Sequence, residues 1–351
     1  MDDVYMQLAI DQARKAGNDT WKNPRVGAVV VKNDHVLATG YHHRYGKAHA
    51  ERDAISKLSS EDVFNSTLYV TLEPCCHTGK QPPCTQLIIE SGIKRVVVAQ
   101  PDPHSIVAGK GIEQLREARI EVKVGILRSA AEALNPYYNF YFAAGRPWIT
   151  VKQAVSLNGL VTAQKSIRTK LTASMAQQRV HLERADYQGI IVGNQTVLID
   201  DPQLTAWGSP AFPPIRIVMD RSGQTLQYSK LKIFDDSADT WVFTENQNVI
   251  PKNSHPSVVV LDQVTPQAVV SYCAKQGLQS LYLEGGPTLQ AAFVDSDLID
   301  ELITYVAPKI LPTTGVTALQ PKATFELIEP KVETLGNDIR IQGRILPCSL
   351  D

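Results

Sequence analysis

The stretch that decides the fold of the first half of the chain contains two separated cysteines: Glu73-Pro74-Cys75-Cys76-His77-Thr78-Gly79-Lys80-Gln81-Pro82-Pro83-Cys84. It follows a short apolar run, residues 68–72, which predicts a buried strand. Proline is favoured in the first turn of a helix, so Cys84 is expected to begin a helix that runs to about Glu90. The segment therefore predicts a strand, a cysteine-bearing loop and a helix, a connection typical of an α/β layered domain.

A histidine upstream could complete a metal site with these cysteines. His49 opens a predicted helix over residues 49–58, and Glu51 follows it by two residues. His49, Cys75 and Cys84 could hold zinc with one coordination position open, as a catalytic zinc requires. The positive ends of the two helices would favour the thiolates that zinc needs. Zinc lowers the pKa of a bound water to about 7, and Glu51 is placed to move that water's proton to a leaving amine.

The order His-x-Glu, Pro-Cys and second cysteine is typical of zinc-dependent nucleobase deaminases. It predicts hydrolysis of an amidine-type C–NH2 group to C=O with release of ammonia. The alternative interpretation is a structural zinc site, or core cysteines that bind no metal. Cys76 is predicted to be a non-ligand, because adjacent residues point in different directions. His77 could contact the substrate or pack within its loop, and a loop histidine such as His42 is more often solvated.

Composition limits the classes of protein that the chain can belong to. The 351 residues suggest two domains, and 43% hydrophobic with 20% charged residues is enough for a sizeable core. The net charge of -1 and the lack of a Lys/Arg block argue against nucleic acid as a partner. No apolar run approaches a membrane span, and the acidic start is unlike a secretion signal. Five cysteines, an odd number, favour a reducing cytoplasm and metal binding.

The pattern of predicted elements divides the chain at Gly145-Arg146-Pro147, giving domains 1–145 and 146–351. In the first half, helices are predicted at residues 3–16, 49–58, 84–90, 109–118 and 129–142, between strands at 26–31, 36–39, 68–72, 94–99 and 121–126. In the second half, helices are predicted at residues 174–185 and 287–293, and strands at 148–152, 189–192, 215–219, 241–243, 258–261, 281–283 and 302–306. Both halves are expected to be α/β.

A glycine turn marks the second half: Glu284-Gly285-Gly286-Pro287-Thr288-Leu289. It lies between a predicted strand and a predicted helix, where backbone N–H groups and the helix dipole favour a phosphate. The spacing is not Gly-x-Gly-x-x-Gly, so an ordinary dinucleotide-binding fingerprint is not supported. From the residues alone, phosphate binding and a plain structural turn are both open.

The eight residues between Cys75 and Cys84 make the pattern more specific. With Asn23-Pro24-x-Val26-Gly27 and Gly40-Tyr41-His42, the stretch resembles the bifunctional riboflavin-biosynthesis deaminase/reductase family. The resemblance covers essentially the whole chain. It implies a cytidine-deaminase-like three-layer domain followed by a dihydrofolate-reductase-like domain. It also implies deamination of 2,5-diamino-6-(5-phosphoribosylamino)pyrimidin-4(3H)-one, with Asn23 and His42 holding the pyrimidine and Lys80 helping to recognise the substrate.

The second half carries further motifs of that family: Lys152-x-Ala154-x-Ser156-Leu157-Asn158-Gly159 and Thr196-Val197-Leu198-x-Asp200-Asp201-Pro202-x-Leu204-Thr205. The resemblance implies hydride transfer from NADPH to the imine form of the ribose, which gives a ribityl chain. The residues implied to contact NADPH are Ala154, Thr196, Asp200, Gly286, Pro287, Thr288, Leu289, Gln290, Ala291 and Ala292. The residues implied to face the substrate are Lys152, Arg184, Leu204 and Glu284.

Four positions depart from the family pattern. Asn158 replaces an aspartate, Arg168 a serine that would touch the substrate phosphate, Lys170 a tryptophan beside the cofactor, and Trp207 an arginine. We predict that Arg168 binds the phosphate by charge and that Lys170 borders the cofactor. A deaminase with a degenerate reductase domain is one alternative, and a non-catalytic zinc-stabilised binding protein is another. The resemblance also implies a homodimer or homotetramer.

Overall fold

The computed structural model describes residues 1–79, 81–208 and 211–347. The chain forms two compact units, Met1–Gly145 and Arg146–Asp351. Lys80 lies outside the described residues, so its place in substrate recognition stays a prediction. In the part of the chain that the structure describes, no helix combines the length and the apolar character needed to cross a bilayer.

The first unit alternates strands and helices, as its sequence predicts. Its strands are β1 (Gly27–Lys32), β2 (His35–Tyr41), β3 (Thr67–Leu72), β4 (Arg95–Gln100) and β5 (Glu121–Val124). Its helices are α1 (Asp2–Ala13), α2 (Ala50–Ile55), α3 (Ser60–Val63), α4 (Cys84–Glu90), α5 (Lys110–Glu117), α6 (Arg128–Glu132) and α7 (Pro136–Ala144). Cys84 therefore begins its helix where the two prolines predicted it.

The strands form one sheet in the order β2-β1-β3-β4-β5, with apolar side chains on both faces. Val29 and Val31 of β1 pack on one face with Met6 and Ile10 of α1. Alternate residues pack on the other face with α2, α4, α5 and α7. The predicted three-layer arrangement is confirmed. Helix α2 lies close on β2 because Gly40 has no side chain: a Cβ there would be 2.4 Å from the Ala50 carbonyl oxygen.

The prediction of one helix over residues 129–142 is wrong, because Pro136 divides that segment into α6 and α7. Proline lacks the N–H that a continuous helix needs, and its ring disfavours helical backbone at the preceding residue. Asn135 accordingly has φ -134 and ψ 53. Its side chain accepts a hydrogen bond from the Arg25 N–H (2.7 Å) and donates one to the Arg25 carbonyl (2.9 Å). The Asn135 side chain at this break therefore anchors the loop that follows Asn23.

The second unit is built on a larger sheet. Its strands are β6 (Trp148–Ser156), β7 (Leu160–Thr162), β8 (Gly189–Gly193), β9 (Ile215–Met219), β10 (Thr240–Thr244), β11 (Ser257–Val260), β12 (Ser280–Leu283), β13 (Glu301–Ala307), β14 (Val316–Thr317), β15 (Phe325–Leu335) and β16 (Asp338–Pro347). Its helices are α8 (Ser174–Arg184), α9 (Asn194–Asp200), α10 (Pro266–Lys275) and α11 (Pro287–Val294). Strands β7 and β14 pair separately.

Nine strands form the main sheet in the order β11-β10-β9-β8-β12-β6-β13-β16-β15. The strands from β11 to β13 run parallel, and β16 and β15 continue the sheet antiparallel. Helices α9 and α10 and strands β7, β14, β15 and β16 were not among the predicted elements. For α10 the signal was present, because the Thr265 hydroxyl caps the helix at the Ala268 N–H (3.2 Å) and Pro266 occupies its first turn. Strand β15 alternates polar and half-buried residues without a strong apolar pattern.

Candidate active sites

Three potential metal ligands converge in the first unit. His49 is the N-cap of α2, Cys75 follows β3, and Cys84 opens α4. His49 Nδ1 lies 3.5 Å from Cys75 Sγ and 3.4 Å from Cys84 Sγ, and all three ligand atoms lie within 4.8 Å of one another. Ligands arranged tetrahedrally about zinc at about 2.0–2.3 Å stand roughly 3.5 Å apart, so this donor set fits zinc. Cys76 does not belong to the cluster found among the described residues.

The charges around this cluster favour metal ligation and proton transfer. The Cys84 thiol and the His49 imidazole lower the pKa of Cys75 to about 4, which makes a thiolate ligand available. The Cys84 N–H also points at Cys75 Sγ, at 3.4 Å. Glu51 is only 3% exposed, and burial raises the pKa of its carboxyl. The Cys84 thiol lowers the pKa of that carboxyl against the larger effect of burial, so Glu51 interacts directly with the ligand cluster.

Asn23 and His42, which the sequence places nineteen residues apart, meet beside the cluster. His42 Nδ1 lies 2.9 Å from the Ala48 carbonyl, which can only accept, so Nδ1 carries the hydrogen. His42 Nε2 then accepts from Asn23 Nδ2 at 3.1 Å. Burial lowers the pKa of His42, which keeps the ring neutral, and the ring meets His49 edge-on at 5.5 Å. His77, by contrast, is exposed.

Glu73 is a buried carboxylate that the sequence reasoning did not single out. Its two oxygens accept four backbone N–H groups, those of Asp102 (3.1 Å), Gly109 (2.9 Å), Gly111 (2.9 Å) and Ile112 (3.1 Å). Gly111 approaches so closely that a Cβ would lie 2.2 Å from the Pro74 carbonyl oxygen. Glu73 thus fixes the backbone two residues before Cys75 against the start of α5. The signal available in the sequence was an acidic residue at a strand end beside the cysteine loop.

Glu73→Gln is expected to lower the free energy of unfolding of the first unit by about 2 kcal/mol, because an amide cannot accept all four N–H groups and leaves buried donors unpaired. The measurement is thermal unfolding of the zinc-loaded chain, together with the rate of zinc loss to a chelator. Glu117→Gln, an exposed change on α5, is the matched control. Equal stability of the two variants would contradict a holding role for Glu73.

The second unit contains a cleft of about 930 Å³, at the upper end of the range for small-molecule sites. It lies where the parallel strands β6, β8, β9 and β12 end, the usual ligand position in such sheets. The predicted site residues that line it are Lys152, Ala154, Arg168, Lys170, Arg184, Thr196, Asp200, Leu204, Glu284, Gly286, Pro287, Thr288, Leu289, Gln290 and Ala292. Ala291, in the same helix, is not among the lining residues, because consecutive helical residues face different directions.

Three charged side chains form a connected group in the cleft. Arg184 Nε and Nη2 donate to the two oxygens of Glu284, at 2.5 and 3.0 Å, and Lys152 Nζ lies 3.6 Å from Glu284 Oε2. Burial raises the pKa of Glu284, but the charges of Arg184 and Lys152 outweigh burial and lower it to about 2. The Lys152 ammonium also lies 5.9 Å from the centre of the Tyr305 ring. The glycine turn begins at the residue after Glu284, and Gly286 is the N-cap of α11.

Two of the four departures from the family pattern, Arg168 and Lys170, line the cleft, whereas Asn158 and Trp207 are not among its lining residues. Arg168 and Lys170 are exposed. Burial raises the pKa of the Asp200 carboxyl, and the nearby charge of Arg168 offsets part of that increase. Trp207 stacks on His181, with ring centres 5.0 Å apart and planes at 11°. Leu204 is buried with φ +55, a backbone conformation that is strained in a leucine.

Sequence reasoning missed several lining residues at the ends of strands, including Gly193, Asn194, Arg221 and Ser222. Gly193 ends β8, and Arg221 and Ser222 follow β9. The rule that ligands bind beyond the carboxyl ends of parallel strands could have found them once the strand order was known.

Two different families of known proteins match the first and the second unit of the chain. The profile described as the cytidine and deoxycytidylate deaminase zinc-binding region matches residues 1–100, and the RibD C-terminal domain matches residues 147–341. The riboflavin biosynthesis protein RibD of Bacillus amyloliquefaciens is 36% identical, covering 97% of this chain and 95% of its own. RibD of Escherichia coli is 35% identical, covering 88% of each.

Solved structures agree over the whole length. Acinetobacter baumannii RibD superposes with a TM-score of 0.87 at 31% identity, covering 99% of both chains. A diaminohydroxyphosphoribosylaminopyrimidine deaminase/5-amino-6-(5-phosphoribosylamino)uracil reductase from Thermotoga maritima gives 0.85 at 32% identity, again covering 99% of both.

The fold and the two sites define a zinc-binding deaminase domain joined to an NADPH-dependent reductase domain. The chain belongs to the RibD family of bifunctional deaminase/reductases of riboflavin biosynthesis. Family membership confirms the predicted fold class, the two enzymatic activities and the two cofactors, zinc and NADPH.

Proposed function

We propose that residues 1–145 deaminate 2,5-diamino-6-(5-phosphoribosylamino)pyrimidin-4(3H)-one and that residues 146–351 reduce the ribosyl side chain of the product to ribityl phosphate. The observation that carries the proposal is the convergence of His49, Cys75 and Cys84 within 4.8 Å, beside the buried Glu51. The cleft with its Arg184–Glu284–Lys152 group supports the second reaction.

In the deaminase unit, His49, Cys75 and Cys84 would hold zinc, which supplies Lewis acidity toward water when bound. The Glu51 carboxylate takes a proton from the attacking water and gives it to the departing amine, because its buried position favours the protonated carboxyl between the two transfers. Asn23 and neutral His42 hold the edge of the pyrimidine as a pair: both ring nitrogens of His42 are already bonded, so His42 fixes the Asn23 amide, which hydrogen-bonds the base. Lys80 recognises the substrate from the metal loop.

In the reductase unit, NADPH supplies the hydride when bound. The turn at Gly286 and the start of α11 face its phosphates with backbone N–H groups. Thr196 and Asp200 of α9, with Ala154, Lys170, residues 287–290 and Ala292, border the cofactor. Lys152, Arg184, Leu204 and Glu284 orient the ribosylamino substrate, whose side chain carries the carbon that is reduced.

Two assays test the proposal on the intact chain. The zinc-loaded protein is expected to release ammonia from the diaminopyrimidine substrate. It is also expected to oxidise NADPH when the deaminated product is supplied directly. Zinc-loaded protein that releases no ammonia would refute the deaminase assignment. Failure both to oxidise NADPH and to bind it would refute the reductase assignment and support the degenerate-domain alternative.

Arg168→Ala is expected to raise the KM for the phosphorylated reductase substrate about tenfold, because a charge-assisted contact to phosphate is lost. The KM for the same substrate without its phosphate should not change. Lys165→Ala, which removes another exposed cation of the same loop, is the matched control. A larger effect from Lys165 than from Arg168 would contradict phosphate binding by Arg168.

We also propose that the protein works in the cytoplasm as a homodimer or homotetramer. The support for the compartment is the use of the Cys75 and Cys84 thiols, which must stay reduced to bind metal. Light scattering after gel filtration measures the assembly, and a monomer at working concentration would contradict it.

A further inference from the structure

A second buried carboxylate lies beneath the charged group of the reductase cleft. Glu183 is 7% exposed and stands next to Arg184 at the end of α8. Its Oε2 accepts from the hydroxyls of Tyr282 (2.8 Å) and Tyr305 (2.9 Å). Its Oε1 accepts from Arg340 Nε (2.6 Å). One side chain therefore joins α8 to the three strands β12, β13 and β16.

The two tyrosine partners of Glu183 stand beside two of the three cleft charges, and the third charge, Arg184, adjoins Glu183 itself. Tyr282 of β12 lies two residues before Glu284, so both side chains point to the same face of the sheet. Tyr305 of β13 lies beneath Lys152, whose ammonium is 5.9 Å from its ring centre. Arg184 directly follows Glu183 in α8. Glu183 is thus linked to all three charged residues: to Glu284 through Tyr282, to Lys152 through Tyr305, and to Arg184 through the backbone of α8.

We propose that Glu183 is a positioning residue for the reductase reaction, which sets the relative placement of Arg184, Glu284 and Lys152 through Tyr282 and Tyr305. This inference rests on the proposed function of the second unit. Both tyrosines and Arg340 are almost completely buried, so water cannot replace Glu183 as their partner. A carboxylate is required because it alone accepts two hydroxyls and an arginine at once and balances the arginine charge.

Glu183→Gln is expected to lower kcat/KM for the deaminated pyrimidine by about 10–100-fold, since displacements of the order of 1 Å in a site cost that much. The Kd of NADPH, measured by fluorescence titration, should change by less than about twofold, because the hydrogen bonds of Glu183 go to Tyr282, Tyr305 and Arg340 and not to the backbone N–H groups of the cofactor turn. Ammonia release by the first unit of the same chain should not change. A purely structural role would lower pyrimidine turnover and NADPH affinity together.

Glu333→Gln is the matched control. Glu333 receives Arg179 Nη2 at 3.0 Å and lies 3.6 Å from Arg340 Nη1, but it is half-exposed. Glu183 also lies 3.4 Å from Arg179 Nε, so the control removes one negative charge from the same two arginines, and it should alter turnover by less than about twofold. Equal turnover of the two variants would overturn the proposal, as would a parallel loss of NADPH affinity in Glu183→Gln.

If Glu183→Gln fails to fold, the double variant Tyr282→Phe/Tyr305→Phe tests the positioning role instead. It removes the two hydroxyl hydrogen bonds but keeps both rings and keeps Glu183 paired with Arg340. A loss of pyrimidine turnover with NADPH affinity retained supports the proposal, and unchanged turnover overturns it. A wild-type chain that does not oxidise NADPH overturns the proposed function instead. Calorimetric binding of the deaminated pyrimidine then tests the inference, and equal affinity of wild type and Glu183→Gln overturns it.

Discussion

Glu51→Gln is expected to lower the kcat of deamination by about 10³-fold or more while zinc stays bound. The amide has nearly the volume of the carboxyl, but it cannot take a proton from water. Zinc should remain at one ion per chain, because the three ligand atoms belong to His49, Cys75 and Cys84. Steady-state ammonia release and metal analysis of the same preparation make the measurement.

The second unit provides the control for this variant. NADPH oxidation with the deaminated substrate should continue at the wild-type rate, which excludes general misfolding. His49→Gln should instead lose zinc as well as deamination. Deamination by Glu51→Gln at a rate close to wild type would exclude Glu51 as the proton carrier.

The deaminase site could be predicted from the sequence because its chemistry is carried by local signals. Each ligand stands at a recognisable boundary: His49 before a helix, Cys75 after a strand and Cys84 behind two prolines. Helix starts and strand ends are decided within a few residues of sequence, so the positions of the ligands followed from the pattern. The wrong prediction of a single helix over residues 129–142 also had a local cause, Pro136.

The hydrogen-bond networks could not be predicted in the same way, because they join residues that only the fold brings together. Glu73 meets backbone groups 29 to 39 residues away, and Glu183 meets Arg340 from 157 residues away. Neither carboxylate belongs to a periodic pattern, and a lone acidic residue in a sequence usually lies on the surface. The cleft residues after β9 depend on strand order, which the sequence pattern left open.

Arg184→Leu is expected to lower the free energy of unfolding of the second unit by about 3 kcal/mol at pH 7, since it leaves Glu284 buried without its main partner. In the wild type, Glu284 has a folded pKa of about 2 against an ordinary value of 4.5. A carboxylate whose folded pKa is lowered stabilises the fold above its ordinary pKa, and this contribution disappears as the pH falls toward 2.

The difference in free energy of unfolding between wild type and Arg184→Leu should therefore be largest at pH 7 and should decrease as the pH falls from about 4.5 toward 2. Urea unfolding at a series of pH values, followed by tryptophan fluorescence, measures it, because Trp148, Trp207 and Trp241 all lie in the second unit. Arg221→Leu is the matched control: its side chain is 70% exposed and lies 3.7 Å from Glu245, so screening by water makes its loss nearly neutral at every pH. A stability difference for Arg184→Leu that stayed constant down to pH 2 would mean that lost packing, and not the Glu284 charge, is responsible.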